Sequence, residues 1–260
     1  MKRKSRQYRL SASLVFPAVA VLLSVTPASA ELTADSIIDR LDDNSTAASL
    51  SFAAKMTISL GGQTREKSFE GYADSSRRAY FEFTAPSRDR NTRFLRDGSD
   101  MWMWLPRVGK STKLSGHLLR QSMMGSDFSY SDAAENSRLL DDYQARLLGT
   151  DTVMHHGDAK TCYVVELTAK TEDVDYARQK VWVTPDDFIA AKVEFYAASG
   201  KLLKEMRVMS YQLLKGRNYP TKVQMTNLLR KDTYTVMEFT DIELDPTIPD
   251  EVFTKSYLER

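Results

Sequence analysis

The chain has 260 residues, with 36 lysines and arginines against 35 aspartates and glutamates. Five of the cations (Lys2, Arg3, Lys4, Arg6 and Arg9) fall in the first thirty residues, which hold no acid, so the remainder is mildly acidic at 31 against 35. Such a body excludes sequence-independent nucleic-acid binding, which needs a basic surface. A content of 42% hydrophobic and 27% charged residues excludes both a disordered chain and a polytopic membrane protein.

The five cations precede an apolar run from Leu14 to Val25, and Ala28-Ser29-Ala30 follows. This is the order of a secretory signal, charged then apolar then small. The run is short for a bilayer span and contains Pro17. Cleavage is expected after Ala30, leaving one domain of residues 31–260 exported to a periplasm. No cysteine stands at the cleavage site to carry a lipid anchor. The single cysteine, Cys162, rules out an intrachain disulfide, so the core must hold the fold. Its neighbours in Thr161–Leu167 are strand-like and offer no cation, so it reads as a buried apolar residue and not a nucleophile.

In chain order, Thr33 has the character of a helix N-cap, with Asp35 in the first turn and Leu32 set to pack on Ile37. Ile37, Ile38 and Leu41 make one apolar stripe, so a short helix is predicted to end near Asn44. Strand signals follow. Phe52 to Leu60 alternates with a period of two and Gly61-Gly62 turns the chain. Ala79, Phe81 and Phe83 alternate up to Pro86. Asn91–Arg96 and Asp100–Leu105 flank the hairpin signal Asp97-Gly98. Tyr163, Val165 and Leu167 share a face; Val181 and Val183 pair with Ile189, Ala191, Val193 and Phe195 across Pro185-Asp186-Asp187. Lys201–Tyr211, Tyr219–Arg230 and Asp232–Leu244 complete about ten strands at meander spacing. With no long helix between them, the sheet is expected to be antiparallel.

The exception is Pro106–Tyr143, rich in Ser, Gly, Met and charge. Asp132 and Glu135 have capping-box spacing and predict a helix over 133–143. A stretch this long between strands is usually a lid or a cover for the sheet. Two features next to it concentrate chemistry. Met101-Trp102-Met103-Trp104-Leu105 is apolar on both strand faces, where a half-buried strand should alternate. Met123-Met124 and Phe128 place soft, adaptable side chains in the lid.

Catalytic and metal signals are weak. His155-His156-Gly157-Asp158 reads as a hairpin turn, and adjacent histidines on a strand would face opposite ways, a poor metal clamp. Ser126, Asp127 and His117 have the residue types of a triad but no nucleophile-elbow glycines. P-loop, dinucleotide and zinc-protease patterns do not occur. Neither a cofactor nor a metal is called for, and an enzyme is not indicated.

The succession Phe83…Pro86, Asn91-Thr92-Arg93-Phe94-Leu95, Met101-Trp102-Met103-Trp104-Leu105-Pro106, Lys113-Leu114-Ser115 and Ser122-Met123-Met124-Gly125-Ser126-Asp127-Phe128-Ser129-Tyr130-Ser131-Asp132 resembles the LolA-like outer-membrane lipoprotein-sorting proteins. It is most similar to the branch associated with inner-membrane exporters of the resistance-nodulation-division type. Phe239…Ile242…Leu244-Asp245-Pro246…Ile248-Pro249…Val252-Phe253 extends the resemblance over 31–260. The resemblance implies a mainly β fold with a helical lid, one strongly curved antiparallel sheet forming an incomplete half-barrel around an apolar concavity. It implies a periplasmic carrier that shelters the acyl chains of a lipoprotein or lipid between inner and outer membrane, with such an exporter as partner and a monomer as the default state. Phe81, Phe83, Met101, Trp102, Met103, Trp104, Met123, Met124 and Phe128 are then the lipid-contacting candidates, with Gly125, Ser126 and Asp127 at the lid's latch. Which parity of 101–105 faces inward stays open. The alternatives are a sensor resembling RseB, which binds an anti-sigma partner, a lipid hydrolase using Ser126, Asp127 and His117, and an exporter accessory subunit that binds protein.

Overall fold

The computed structural model describes residues 32–114, 116–172 and 174–260. The expected signal of residues 1–30 and its cleavage after Ala30 lie outside the described residues. Helix α1 (Ala34–Ser45) begins where its cap predicts, the Thr33 hydroxyl accepting the Ser36 N–H at 3.2 Å. It buries Ile37, Ile38 and Leu41, each contributing about 1.5–3 kcal/mol of transfer free energy.

Six strands follow: β1 (Ser49–Leu60), β2 (Gln63–Asp74), β3 (Arg78–Ala85), β4 (Arg93–Asp97), β5 (Asp100–Leu105) and β6 (Lys110–Leu114). Residues 116–142 then leave the sheet, carrying two single-turn helices, α2 (Tyr130–Ala133) and α3 (Leu139–Asp142). Seven more strands complete the sheet: β7 (Tyr143–His155), β8 (Asp158–Ala169), β9 (Arg178–Val183), β10 (Ala190–Tyr196), β11 (Leu202–Leu214), β12 (Arg217–Asn227) and β13 (Thr233–Leu244). The order across the sheet is β6-β5-β4-β3-β2-β1-β13-β12-β11-β10-β9-β8-β7. Two antiparallel meanders are thus joined where β1 pairs with β13.

There are 13 strands, more than the alternation pattern shows. The additions include β2 and β6, whose sequences open on or consist of polar residues (Gln63-Thr64-Arg65-Glu66, Lys110-Ser111-Thr112-Lys113) and so give no period-two hydrophobic signal. Backbone pairing with their neighbours builds them instead. The 133–143 helix is replaced by α2, an extended stretch and α3. Ser129 and Asp132 form the capping box, which starts the helix three residues earlier, and Asn136 bonds the Ala47 carbonyl at 3.2 Å. Around Ala191 the expected parity also breaks. A bulge between Ala190 and Lys192 turns Ala191 to the face of Cys162, Val164 and Trp182, while Ile189, Ala190, Val193 and Phe195 stay with the main core. Cys162 is buried as expected, and burial pushes its thiol up to about 11.

One core cluster takes residues from Leu114 on edge strand β6 to Tyr143 on edge strand β7. Met101 of β5 and Arg96 of β4 line one cavity with Tyr143 of β7 and Gln179 of β9, so the sheet wraps its two halves towards each other, and since β6 and β7 do not pair, the result is an open half-barrel. Helix α1 and residues 116–142 cover its concave face. On the other face, the 3-10 turn Asp250–Phe253 and helix α4 (Lys255–Leu258) pack over β3, β4 and β5.

Two positions test this account. Gly71 on β2 lies opposite Phe52 and Phe81, and a Cβ there would meet the Tyr80 carbonyl oxygen at 2.6 Å and the Phe81 Cβ at 2.8 Å. Gly71→Ala is expected to cost about 1–3 kcal/mol, read as a fall in Tm of several degrees. Asp42 on α1 is 1% exposed and accepts the Leu139 N–H of α3 at 2.8 Å. Burial pushes its carboxyl up to about 7, against the pull of the Leu139 N–H and Arg138. The folded state therefore holds a proton that the unfolded chain releases near its ordinary 3.8, and the stability cost grows as pH rises from about 4 to about 7. At about 1.4 kcal/mol per unit, the cost is a few kcal/mol at pH 8. Asp42→Asn should raise Tm at pH 8 and leave it nearly unchanged at pH 4; an equal effect at both pH values contradicts the assignment.

Candidate ligand-binding site

The concave face carries a row of aromatic rings from the middle of the sheet towards its β6 edge. Phe239 on β13 meets Phe52 on β1 at 5.5 Å, and Phe52 meets Phe69 on β2 at 6.0 Å between centroids. Phe69 then contacts Phe81 and Phe83 on β3, and Phe81 stacks on Phe94 of β4 at 4.8 Å. The row follows from strand alternation, because residues paired in register share a face: Phe69 with Phe83, Phe81 with Phe94, Phe94 with Met103. It is half-exposed at Phe239 and Phe52 and sealed at Phe83 and Phe94, both 0% exposed.

The same pairing settles the parity of β5. Met101 and Met103 point to the concave core, Met101 fully buried. Trp102 and Trp104 point outward, packing with Tyr80, Leu95 and the C-terminal Val252, Phe253 and Leu258. Lys255 of α4 lies 4.4 Å from the Trp102 ring. The nine lipid-contacting candidates are therefore divided: Phe81, Phe83, Met101, Met103, Met123, Met124 and Phe128 share the concave side, and the two tryptophans form the seat of the chain's end.

Met123 and Phe128 come from the covering segment. The Met123 N–H bonds the Phe128 carbonyl at 2.8 Å, and Ser122 bridges Ser129, closing a tight loop. Its tip turns through Met124 and Gly125, both with positive φ (51° and 87°). That left-handed pair suits glycine and strains methionine. The loop is inserted against the sheet: Met123 and Ser126 are 0% and Asp127 1% exposed. A buried loop must satisfy its polar groups internally. The Asp127 carboxylate accepts the hydroxyls of Thr233 (2.9 Å) and Thr235 (2.7 Å) on β13, and its N–H bonds the Thr235 Oγ1 at 2.9 Å. Ser126 donates its hydroxyl to the Phe128 carbonyl at 3.2 Å. With Ser126 and Asp127 so engaged and His117 exposed, no Ser–His–Asp relay is assembled.

A second set of bonds holds the segment at α2. The Asp132 carboxylate takes the Ser129 N–H (2.7 Å), the Tyr176 hydroxyl (2.8 Å) and the Lys204 ammonium of β11 (2.7 Å). Burial, with the Asp132 charge beside it, holds the Tyr176 hydroxyl far above its ordinary pKa, so it stays a donor. Tyr130 of α2 completes the aromatic row at 5.4 Å from Phe94. Residues 134–138 are tied by Arg96 to the Ala134 carbonyl and Glu135 and by Arg138 to Asp39 and Asp43 of α1.

These residues divide two cavities. One of about 250 Å³ lies under α1, apolar in lining, with Val181, Ile189, Val193, Met206, Val208 and Val223 from β9 to β12. The other, about 240 Å³, opens between α2, α3 and β9, and is ringed by Arg77, Arg96, Arg138, Asp132, Asp142 and Asp175. Glu135, Ser137 and Leu139 line both and form the wall between them. Neither the charge-ringed cavity nor the Asp132–Lys204 tie has a local sequence signal, since each joins residues far apart in the chain. The apolar cavity does have one, in the alternation of β9 and β10. Among the described residues no group of His, Cys, Asp and Glu is placed to hold a metal ion, and no helix is long and apolar enough to cross a membrane.

Comparison with known proteins agrees with this architecture. A family model described as that of an uncharacterized protein matches residues 75–260. Among proteins with curated descriptions, none matches the chain. The structure of a LolA superfamily protein from Nitrosomonas europaea is 27% identical, covers 86% of this chain and 99% of its own, and superposes with a TM-score of 0.73. A DUF1329 family protein from Desulfovibrio piger is 24% identical over 85% of this chain and 96% of its own, with a TM-score of 0.76. A Vibrio parahaemolyticus domain of the outer-membrane lipoprotein-sorting type is 20% identical over 86% of this chain and 97% of its own, with a TM-score of 0.74. The half-barrel and the family match lead to one assignment: the chain belongs to the family of that model, and its fold is that of the LolA superfamily.

Proposed function

We propose that the protein is a periplasmic carrier that shelters the acyl chains of a lipoprotein or lipid on the concave face of the half-barrel and moves them between inner and outer membrane. An inner-membrane exporter of the resistance-nodulation-division type is its partner in this reading. The supporting observation is that the apolar face is closed by a segment that the sheet does not pair with along its length. Met123, Phe128 and Tyr130 pack into the interior, and polar bonds at Asp127 and Asp132 add to their hold.

Each CH₂ drawn from a membrane into water costs roughly 0.8 kcal/mol, so a lipidated cargo needs an apolar surface throughout its transit. Cavities of about 240 and 250 Å³ fall below the usual range for ligand pockets. In this reading the interior admits cargo by displacement of residues 116–142. The bonds to Thr233 and Thr235 act as a latch. They are short and charge-assisted, yet they can be exchanged for water when the loop swings out. The wall at 135–139 separates an apolar from a charged cavity, an arrangement suited to a ligand with a fatty end and a polar end. The work of the protein in this reading is binding, with no reaction assigned to it.

The test combines cargo identification with latch weakening. Native mass spectrometry of the protein recovered from an exporting host should show co-purified lipid or lipopeptide. Thr235→Val removes two hydrogen bonds to Asp127 while keeping side-chain volume, weakening closure by about 1–3 kcal/mol. Affinity for a fluorescent fatty-acyl probe should then rise about fivefold or more, because the apparent affinity scales with the open fraction. A bare mass, together with no probe binding by either form, would overturn the carrier reading.

A further inference from the structure

Large apolar side chains stand exposed at one end of the half-barrel: Leu60 (40%), Leu228 (46%), Leu229 (54%) and Tyr234 (41%). They belong to two adjacent turns. The β1–β2 turn is tied to the β12–β13 turn by the Leu60–Thr233 pair and by the Gly61 N–H on the Asp232 carbonyl at 3.0 Å. The β10–β11 turn adjoins them through the Leu228 N–H on the Leu203 carbonyl at 2.9 Å.

The charges around this rim are mainly positive. Arg65, Lys201 and Lys231 are exposed and make no ion pair among the described residues. Arg230 points towards Asp127 at 3.9 Å. Of the two acids in these three turns, Glu66 is neutralised by Lys55 at 2.7 Å, leaving Asp232. Beyond residue 30 the chain carries 31 basic against 35 acidic residues, so the rim reverses the sign of the body that bears it. A local cationic patch with apolar tips is complementary to one kind of surface: an anionic plane with a greasy layer beneath it.

We propose that this rim docks on an anionic membrane surface. Leu228 and Leu229 enter the headgroup–acyl boundary, Leu60 and Tyr234 lie beside them, and Arg65, Lys201 and Lys231 sit over lipid phosphates. A bilayer fits better than a protein partner because the apolar side chains stand on protruding turns and do not line a groove. A shaped partner needs a socket, and a fluid one does not. Tyrosine at the edge of such a patch matches the interfacial preference of an amphipathic ring. Taken together with the carrier reading, on which this one consequence rests, docking brings the latch to the membrane: the turn that carries Leu228 and Leu229 leads directly into Thr233 and Thr235, which hold Asp127.

Docking is measured without cargo, so its outcome is separable from that of the carrier reading. The unit Leu32–Arg260 contains the entire main core and is the protein used. It should co-sediment with phosphatidylcholine vesicles containing about 30 mol% phosphatidylglycerol, bind vesicles of phosphatidylcholine alone at least about tenfold more weakly, and dissociate in about 0.5 M salt. Leu228→Ser with Leu229→Ser should lower binding about tenfold or more, and Arg65→Gln with Lys231→Gln should lower it to a similar degree. Leu213→Ser removes a more exposed leucine (71%), near the β11–β12 turn, and should leave binding unchanged. Each variant lies in an exposed turn or strand end, and a circular dichroism spectrum matching the parent checks the fold. Equal binding to neutral vesicles, undiminished binding by the leucine double variant, or no binding to any vesicle would each overturn the proposal.

Discussion

An antiparallel sheet with one apolar face has to hide that face, and a sheet that does not close on itself cannot do so with its own strands. Almost everything else in this molecule answers that constraint. Thirteen strands wrap far enough to bring Leu114 and Tyr143, at opposite edges, into one core. The remaining opening falls to helix α1 and to residues 116–142. Helix α1 does its part by ordinary burial of Ile37, Ile38 and Leu41. The second cover is different in kind. It brings a buried loop, a buried carboxylate and two single-turn helices, none of which would be stable apart from the sheet beneath them.

This difference gives the two covers different strengths. Apolar contacts made by α1 are lost only if the helix leaves the core altogether. The loop at Asp127 also buries Met123 and Phe128, but its tip is fixed by polar groups that water can serve, so that part of its attachment is strong while dry and weak once wetted. Satisfied buried polar bonds also fix the loop in one place, because any other buried position leaves Asp127 or Thr235 without a partner. A cover built this way is well defined when shut and can still be opened, whereas a cover of leucines alone would be neither as specific nor as readily released.

The strands with period-two patterning, the Asp97-Gly98 hairpin, the Thr33 cap and the aromatic face of β3 were all legible in the residues, since each rests on neighbours in the chain. The Met-Gly-Ser-Asp-Phe run stood out as unusual for the same reason. Its contacts could not be read locally: Thr233 and Thr235 lie more than 100 residues away from Asp127. The parity of 101–105 was undecidable because both faces are apolar, and the C-terminal Val252 and Phe253 decide which face the tryptophans take. The helix expected over 133–143 failed through tertiary competition. Asp132 is held by Ser129, Tyr176 and Lys204, and Glu135 turns away to Arg96. Ala191 was misplaced by a bulge, a feature with no compositional mark.

The position of the indoles bears on how the molecule can be observed. All three tryptophans of the chain, Trp102, Trp104 and Trp182, sit on the outer side of the sheet, two beneath the C-terminal segment and one between Lys180 and Lys192. Intrinsic emission excited at the red edge of the ultraviolet band consequently reports the exterior packing and its melting, and is optically blind to whatever fills the hollow. Signals from inside must come from the tyrosines that border the core (Tyr130, Tyr143, Tyr163, Tyr176, Tyr211 and Tyr219) or from a chromophore placed there on purpose.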